Sequence, residues 1–187
     1  MENKNLSDKK VLLIAGSPIC LQKKRDLSNY DIIVKMNAFP LAEEYNEYVS
    51  ERCDIWITTE YILWGLMDQL EERRKKVNEI YFINSPRNLA NICMKDRIQL
   101  ENFKNSHCTK IYKFNNPLKI NRCPTIGLVA LYFLMSKYSD ITILGFTFGE
   151  GTNHFYDNIK KSENHDFVQE KSIFENCIKE KKIKVID

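Results

Sequence analysis

The sequence contains no Cys-x-x-Cys pair, no Asp-x-Asp, no Gly-x-Gly-x-x-Gly and no P-loop signature. Its six cysteines (Cys20, Cys53, Cys93, Cys108, Cys123, Cys177) are scattered. Without paired spacing they argue against structural zinc and read as reduced thiols. No apolar run approaches the roughly 18 residues of a membrane span. Met1 to Lys10 is polar and charged, where a signal peptide would be apolar. The expectation is a cytoplasmic chain. A large charge of one sign is lacking too: the net charge is +3, too weak an excess to suggest a nucleic-acid partner. Internal repeats, low-complexity segments and linkers are also missing.

What remains suits a single globular unit. The chain has 187 residues, 43% hydrophobic and 28% charged, enough for one domain with a real core over 1–187 and little for a second. Short apolar runs rich in branched residues recur along it, as buried parallel strands do. They are Lys10–Ala15, Ile32–Met36, Asp54–Thr58, Glu79–Ile83, Lys110–Phe114, Asp140–Phe146 and Lys182–Ile186. Helical patterns lie between them. Glu60–Val77 is amphipathic, Thr125–Tyr138 is apolar nearly all round and so reads as a buried helix, and His165–Lys181 precedes the last strand. This alternation predicts an α/β fold: one Rossmann-like domain with a mostly parallel sheet flanked by helices. Ligands of such sheets bind at the carboxyl ends of the strands.

The chemistry-bearing residues cluster at those ends. The first strand runs into Ala15-Gly16-Ser17-Pro18, where small residues let backbone amides approach a phosphate, or simply form a turn. Asn37 follows the second strand and offers donors and an acceptor, or shapes the turn there. Thr125 is placed to cap the buried helix, whose N-terminus attracts anions. Two of the three histidines, His154 and His165, follow the strand that ends at Gly145-Phe146. Histidine titrates near neutrality and suits proton transfer.

The order of these segments resembles the sialyltransferases, chiefly glycosyltransferase family 29 and more weakly the bacterial family 42. Val11 to Thr59 is similar to the large sialylmotif, centred on Tyr30-Asp31-Ile32-Ile33-Val34-Lys35-Met36-Asn37-Ala38-Phe39-Pro40. Pro124 to Phe148 is similar to the small motif, with Pro124-Thr125-Ile126-Gly127 ahead of a long apolar helix. His154-Phe155-Tyr156-Asp157 resembles the third motif, and His165 with Glu170 matches the His-x4-Glu of the very small one.

The resemblance implies a sialyltransferase variant of the GT-A type and a metal-independent, inverting transfer of sialic acid from CMP-sialic acid to a sugar hydroxyl. No cofactor is implied beyond the CMP-sugar donor, and the acceptor would be a glycan or glycolipid. Asn37 would contact CMP, Thr125 and Gly127 would hold the donor beside the helix, and Ser17 with Gly16 would cover the phosphate side. His165 would be the general base, and His154 would stabilise the leaving phosphate. Tyr156 would line the phosphate site, and Glu170 would orient its segment. Negative charge grows on the phosphate in an oxocarbenium-like transition state, and a helix N-terminus and a histidine can meet that charge without a metal.

The chain departs from the family pattern in places. Ser17 stands where Asn commonly follows the first-loop Gly, Ile126 stands in the middle of Thr-x-Gly, and Tyr138 stands where the family has a disulfide cysteine. Thr147 to Asn164 is brief for a large lid, so acceptor recognition is expected to be minimal or supplied by a partner. Other readings are a transferase for another CMP-sugar such as CMP-Kdo, or a non-catalytic nucleotide- or glycan-binding module. The basic runs Arg73–Lys76 and Lys179–Lys184 read as solvated faces. They also allow peripheral association with a membrane carrying glycolipid acceptors.

Overall fold

The computed structural model describes residues 5–83, 93–107, 110–112, 122–148 and 165–186. Its strands are β1 (Lys10–Ile14), β2 (Ile32–Met36), β3 (Cys53–Thr59), β4 (Val77–Ile83), β5 (Lys110–Tyr112), β6 (Asp140–Leu144) and β7 (Lys184–Ile186). The helices are α1 (Asn46–Val49), α2 (Glu60–Gly65), α3 (Leu70–Lys75), α4 (Met94–His107), α5 (Ile126–Met135) and α6 (Phe167–Lys179). All seven strands pair in parallel in one sheet, in the order β5-β4-β3-β2-β1-β6-β7. The progression runs outward from β1 through β5, then reverses to β6 and β7 on the other side. The switch point lies between β1 and β6, where an open α/β sheet leaves a crevice at its carboxyl edge.

Side chains alternate across the sheet, so each strand feeds two layers. Val11, Leu13, Val34, Met36, Ile55, Ile57, Ile141 and Ile143 face α5 and α6. Their neighbours Trp56, Ile80 and Phe82 face the opposite way, onto Leu63, Leu70, Leu100 and Phe103 of α2, α3 and α4. Nearer the switch point on that second face, Leu12, Ile14, Ile33 and Leu144 pack with Cys20, Leu27 and Val49. Parallel strands covered on both faces must be apolar throughout, which is why these runs are continuous rather than alternating.

The apolar helix read from Thr125 is α5. Leu128, Leu131 and Leu134 are fully buried, each contributing about 2 kcal/mol by leaving water. The stretch read as one helix from Glu60 is three pieces: α2 ends at Gly65, Met67–Gln69 forms a 3-10 turn, and α3 follows. Gly65 is a poor helix former, and the break lets Leu66 and Met67 join Leu63 and Leu70 against the same core. The turn after β1 opens a 3-10 segment, Pro18–Gln22, and no α-helix. Cys20, Cys53, Cys93, Cys123 and Cys177 carry free thiols. Among the described residues no helix is long and apolar enough to cross a membrane.

Candidate active site

The carboxyl edge of the sheet carries two polar arrangements. The first joins the start of α5 to the start of α6. Thr125 caps α5 by accepting a hydrogen bond from the Leu128 amide at 3.3 Å. The Thr125 amide in turn donates to Glu170 Oε1 at 2.7 Å, and its hydroxyl donates to Glu170 Oε2. Glu170 is 2% exposed. Burial pushes its carboxyl above the ordinary glutamate value, against the opposing pull of the Thr125 bonds and of His165.

This pairing revises the expected anion seat. The four leading amides of a helix have no partner within it, and here these belong to Thr125, Ile126, Gly127 and Leu128, since Val129 donates to Thr125 O. Glu170 takes the first and Thr125 Oγ1 the last. The positive end of α5 thus already faces a carboxylate from this chain. Among the described residues, the Ile126 and Gly127 amides are the two of the four without a partner. Gly127 also has a packing role: a Cβ there would lie 2.9 Å from Phe146 Cε1, so its bareness seats the aromatic residue that follows β6.

His165 stands one residue before the α6 cap, Asp166, which accepts from the Gln169 amide at 3.0 Å. His165 Nδ1 lies 2.7 Å from Cys123 O. A carbonyl oxygen can only accept, so Nδ1 carries the proton and Nε2 of the neutral ring keeps its lone pair. That is the tautomer a general base needs. The Phe167 ring packs edge-on to the imidazole at 5.8 Å between centroids.

The second arrangement lies at the ends of β1 and β2. Ser17 is nearly buried, and its hydroxyl accepts from the Ile19 amide at 3.4 Å, so it caps the turn. Gly16, Ala15, Lys35, Met36, Phe39 and Pro40 line a cleft beside it. Asn37 adopts φ 50°, the left-handed region that Asn enters more readily than most residues. Its amide donates to Ile57 O at 3.0 Å, and Trp56 Nε1 donates to its carbonyl at 2.8 Å. Held at both ends of its backbone, Asn37 buries an Oδ1 that has no hydrogen-bond partner among the described residues. Thr58 Oγ1, at the end of β3, is likewise buried without one. Buried polar atoms are nearly always satisfied, so two orphans near the carboxyl ends of β2 and β3 are unusual.

Between the loops, Gly145 follows β6 at φ 78°. A Cβ there would lie 3.0 Å from Ala15 O and 2.3 Å from Cys20 Sγ. Only glycine lets the β1 and β6 ends approach this closely.

The structure thus brings Thr125, Glu170 and His165 into one connected set, and places Gly16, Ser17 and Asn37 at the neighbouring strand ends. His154 and Tyr156 lie outside the described residues. Sequence reasoning missed Cys123, whose backbone carbonyl meets His165. Among the described residues no group of three or more His, Cys, Asp or Glu side chains is placed to hold a metal ion.

The strand order, the switch-point crevice and the helices on both faces are those of a parallel α/β domain consistent with the GT-A-like glycosyltransferase folds. No model of a known family and no curated protein sequence matches the chain. Among solved structures it is similar to the sialyltransferase Cst-II, crystallised as a tyrosine-to-phenylalanine variant in complex with CMP. The TM-score is 0.60 at 16% identity, over 95% of this chain and 80% of that one. At this identity the likeness is one of fold.

Proposed function

We propose that the protein is a metal-independent, inverting glycosyltransferase that moves sialic acid from CMP-sialic acid to a sugar hydroxyl. The observation that carries this reading is the 2.7 Å contact between His165 Nδ1 and Cys123 O. It leaves Nε2 of a half-buried histidine as a proton acceptor at the carboxyl edge of a sheet resembling that of a CMP-bound sialyltransferase.

In this reading His165 takes the proton of the acceptor hydroxyl as its oxygen attacks the anomeric carbon, and CMP departs from the opposite side in a single displacement. The Gly127 amide holds the donor beside α5, whose cap Thr125 is engaged by Glu170 and Leu128, and the Asn37 amide group meets the CMP moiety. Gly16 and Ser17 cover the phosphate side. His154 stabilises the leaving phosphate, with Tyr156 lining its site. Glu170 is a positioning residue: bound to Thr125, it holds the segment that carries His165.

The test is incubation with CMP-N-acetylneuraminic acid and simple galactosides in EDTA, following CMP release. Release that depends on His165 supports the reading. CMP binding without release from this donor would favour a different CMP-sugar or a binding module, and neither binding nor release would reject the class.

A further inference from the structure

Trp56 of β3 is fully buried and packs in the cluster of Leu63, Leu70 and Phe82. Another large apolar ring could fill much of that space. An indole differs in carrying an N–H that needs an acceptor once it leaves water. Here the acceptor is Asn37 O, 2.8 Å away and just past the end of β2.

That bond bears on one backbone angle. The Asn37 amide donates to Ile57 O at 3.0 Å, directly after the Met36–Ile57 pair of the β2–β3 ladder. This contact holds the peptide before Asn37, and with it the φ of 50°. The carbonyl on the other side of Cα swings with ψ, and Trp56 holds that one. With both planar peptides fixed, the direction in which the side chain leaves Cα is fixed as well. The indole is itself clamped. Phe39 meets it edge-on, with centroids 5.8 Å apart and planes at 89°. The Arg73 guanidinium lies 4.9 Å from the Phe39 centroid, and Arg73 donates both to Phe39 O and to Gln69 Oε1.

We propose that Trp56 is a positioning residue for donor binding: its indole N–H sets the ψ of Asn37 and so aims the Asn37 side chain at the CMP moiety. The assignment rests on the CMP-sugar reading above and on its contact between Asn37 and CMP. Trp56 touches no substrate and acts through Asn37. A left-handed backbone is a minority state for residues other than glycine. Without the indole bond Asn37 would spread over other conformers, and donor affinity would fall with the fraction that remains competent.

The experiment is a double-mutant cycle read by calorimetric titration of the full chain with CMP. Trp56→Phe keeps a buried ring and removes the N–H, and it is expected to weaken CMP binding about three- to tenfold. Asn37→Gly leaves no side chain to aim. Adding Trp56→Phe to Asn37→Gly is expected to leave CMP affinity where Asn37→Gly alone put it, although the loss of stability from Trp56→Phe persists. Equal fold-losses in the two backgrounds would mean a merely structural role and overturn the assignment, as would unchanged affinity in Trp56→Phe. If Trp56→Phe does not fold, the parent protein decides through its indole N–H exchange by NMR. Coupling is reciprocal, so CMP should slow exchange at Trp56 several-fold and leave Trp64, which donates to Asp96, as it was. Trp64→Phe assigns the two signals, and unchanged exchange at Trp56 overturns the assignment. Unchanged CMP affinity in Asn37→Gly overturns the Asn37 contact and this assignment while leaving the CMP-sugar reading in place. Absence of CMP binding in the parent overturns that reading and this assignment together.

Discussion

Glu170 and Thr125 are bonded twice: the threonine amide donates to one carboxylate oxygen at 2.7 Å and the threonine hydroxyl to the other. The pair lies 45 residues apart in sequence and joins the first turn of α6 to the cap of α5. A buried carboxylate that accepts from an amide and a hydroxyl is satisfied by the fold itself.

Removing that carboxylate should loosen both helices. E170A is expected to destabilise the protein by about 1–3 kcal/mol, because it strands a buried amide and hydroxyl, and E170Q by less. Urea unfolding measures both. The pH dependence has a definite sign. The folded-state value of Glu170 is raised above the ordinary 4.5, so its contribution is fully present below that value. It is lost as pH rises through the folded-state value. E170Q should lack this component, and equal pH slopes in the two proteins would contradict the assignment.

His165→Ala should remove turnover by about 100-fold or more and leave CMP affinity largely intact, since the imidazole is aimed by Cys123 and bears on the acceptor. Steady-state CMP release alongside calorimetry separates the two effects. Near-normal turnover in the variant would end the general-base assignment.

Asn37 combines a left-handed backbone with an Oδ1 that is unpartnered among the described residues. Asn37→Gly keeps the backbone conformation and removes the amide, so thermal stability should change little while CMP affinity weakens several-fold. Asn37→Ala should in addition cost about 1 kcal/mol for the strained φ. Unchanged CMP affinity in Asn37→Gly would reject a donor contact.

Gly145→Ala should be the most damaging of these changes. The added carbon would press on Ala15 O at 3.0 Å and on Cys20 Sγ, from a φ of 78°. A loss of about 2 kcal/mol or more is expected in urea unfolding, and wild-type stability in this variant would mean that the two strand ends part freely.

The strands were legible because a parallel sheet buried on both faces demands branched apolar runs, and Ile32–Met36 or Asp140–Leu144 can hardly be anything else. α5 was legible for the same reason. α4 was not: of its residues only Leu100 and Phe103 are buried, while Met94 and Ile98 point outward, which leaves too thin a stripe for periodicity to find. The break at Gly65 escaped because Leu63 and Leu70 keep a helical spacing across it. In the site, Thr125 as a cap and His165 beside α6 could be placed from local pattern. The Glu170–Thr125 bonds and the His165–Cys123 contact are long-range pairings, and no local pattern encodes them.

Cys123 and Thr125 flank a proline, and the α6 segment is fastened at both, through His165 to the first and Glu170 to the second. A body held by one pin can swivel, but one held by two cannot. Swinging α6 therefore cannot re-aim the imidazole: its bearing is set once, by the path of the chain around Pro124. A protein built this way would change the hydroxyl it serves by reshaping what surrounds the histidine and not by turning it. Variation among its kin should therefore gather in the flanking loops, with these four residues left alone.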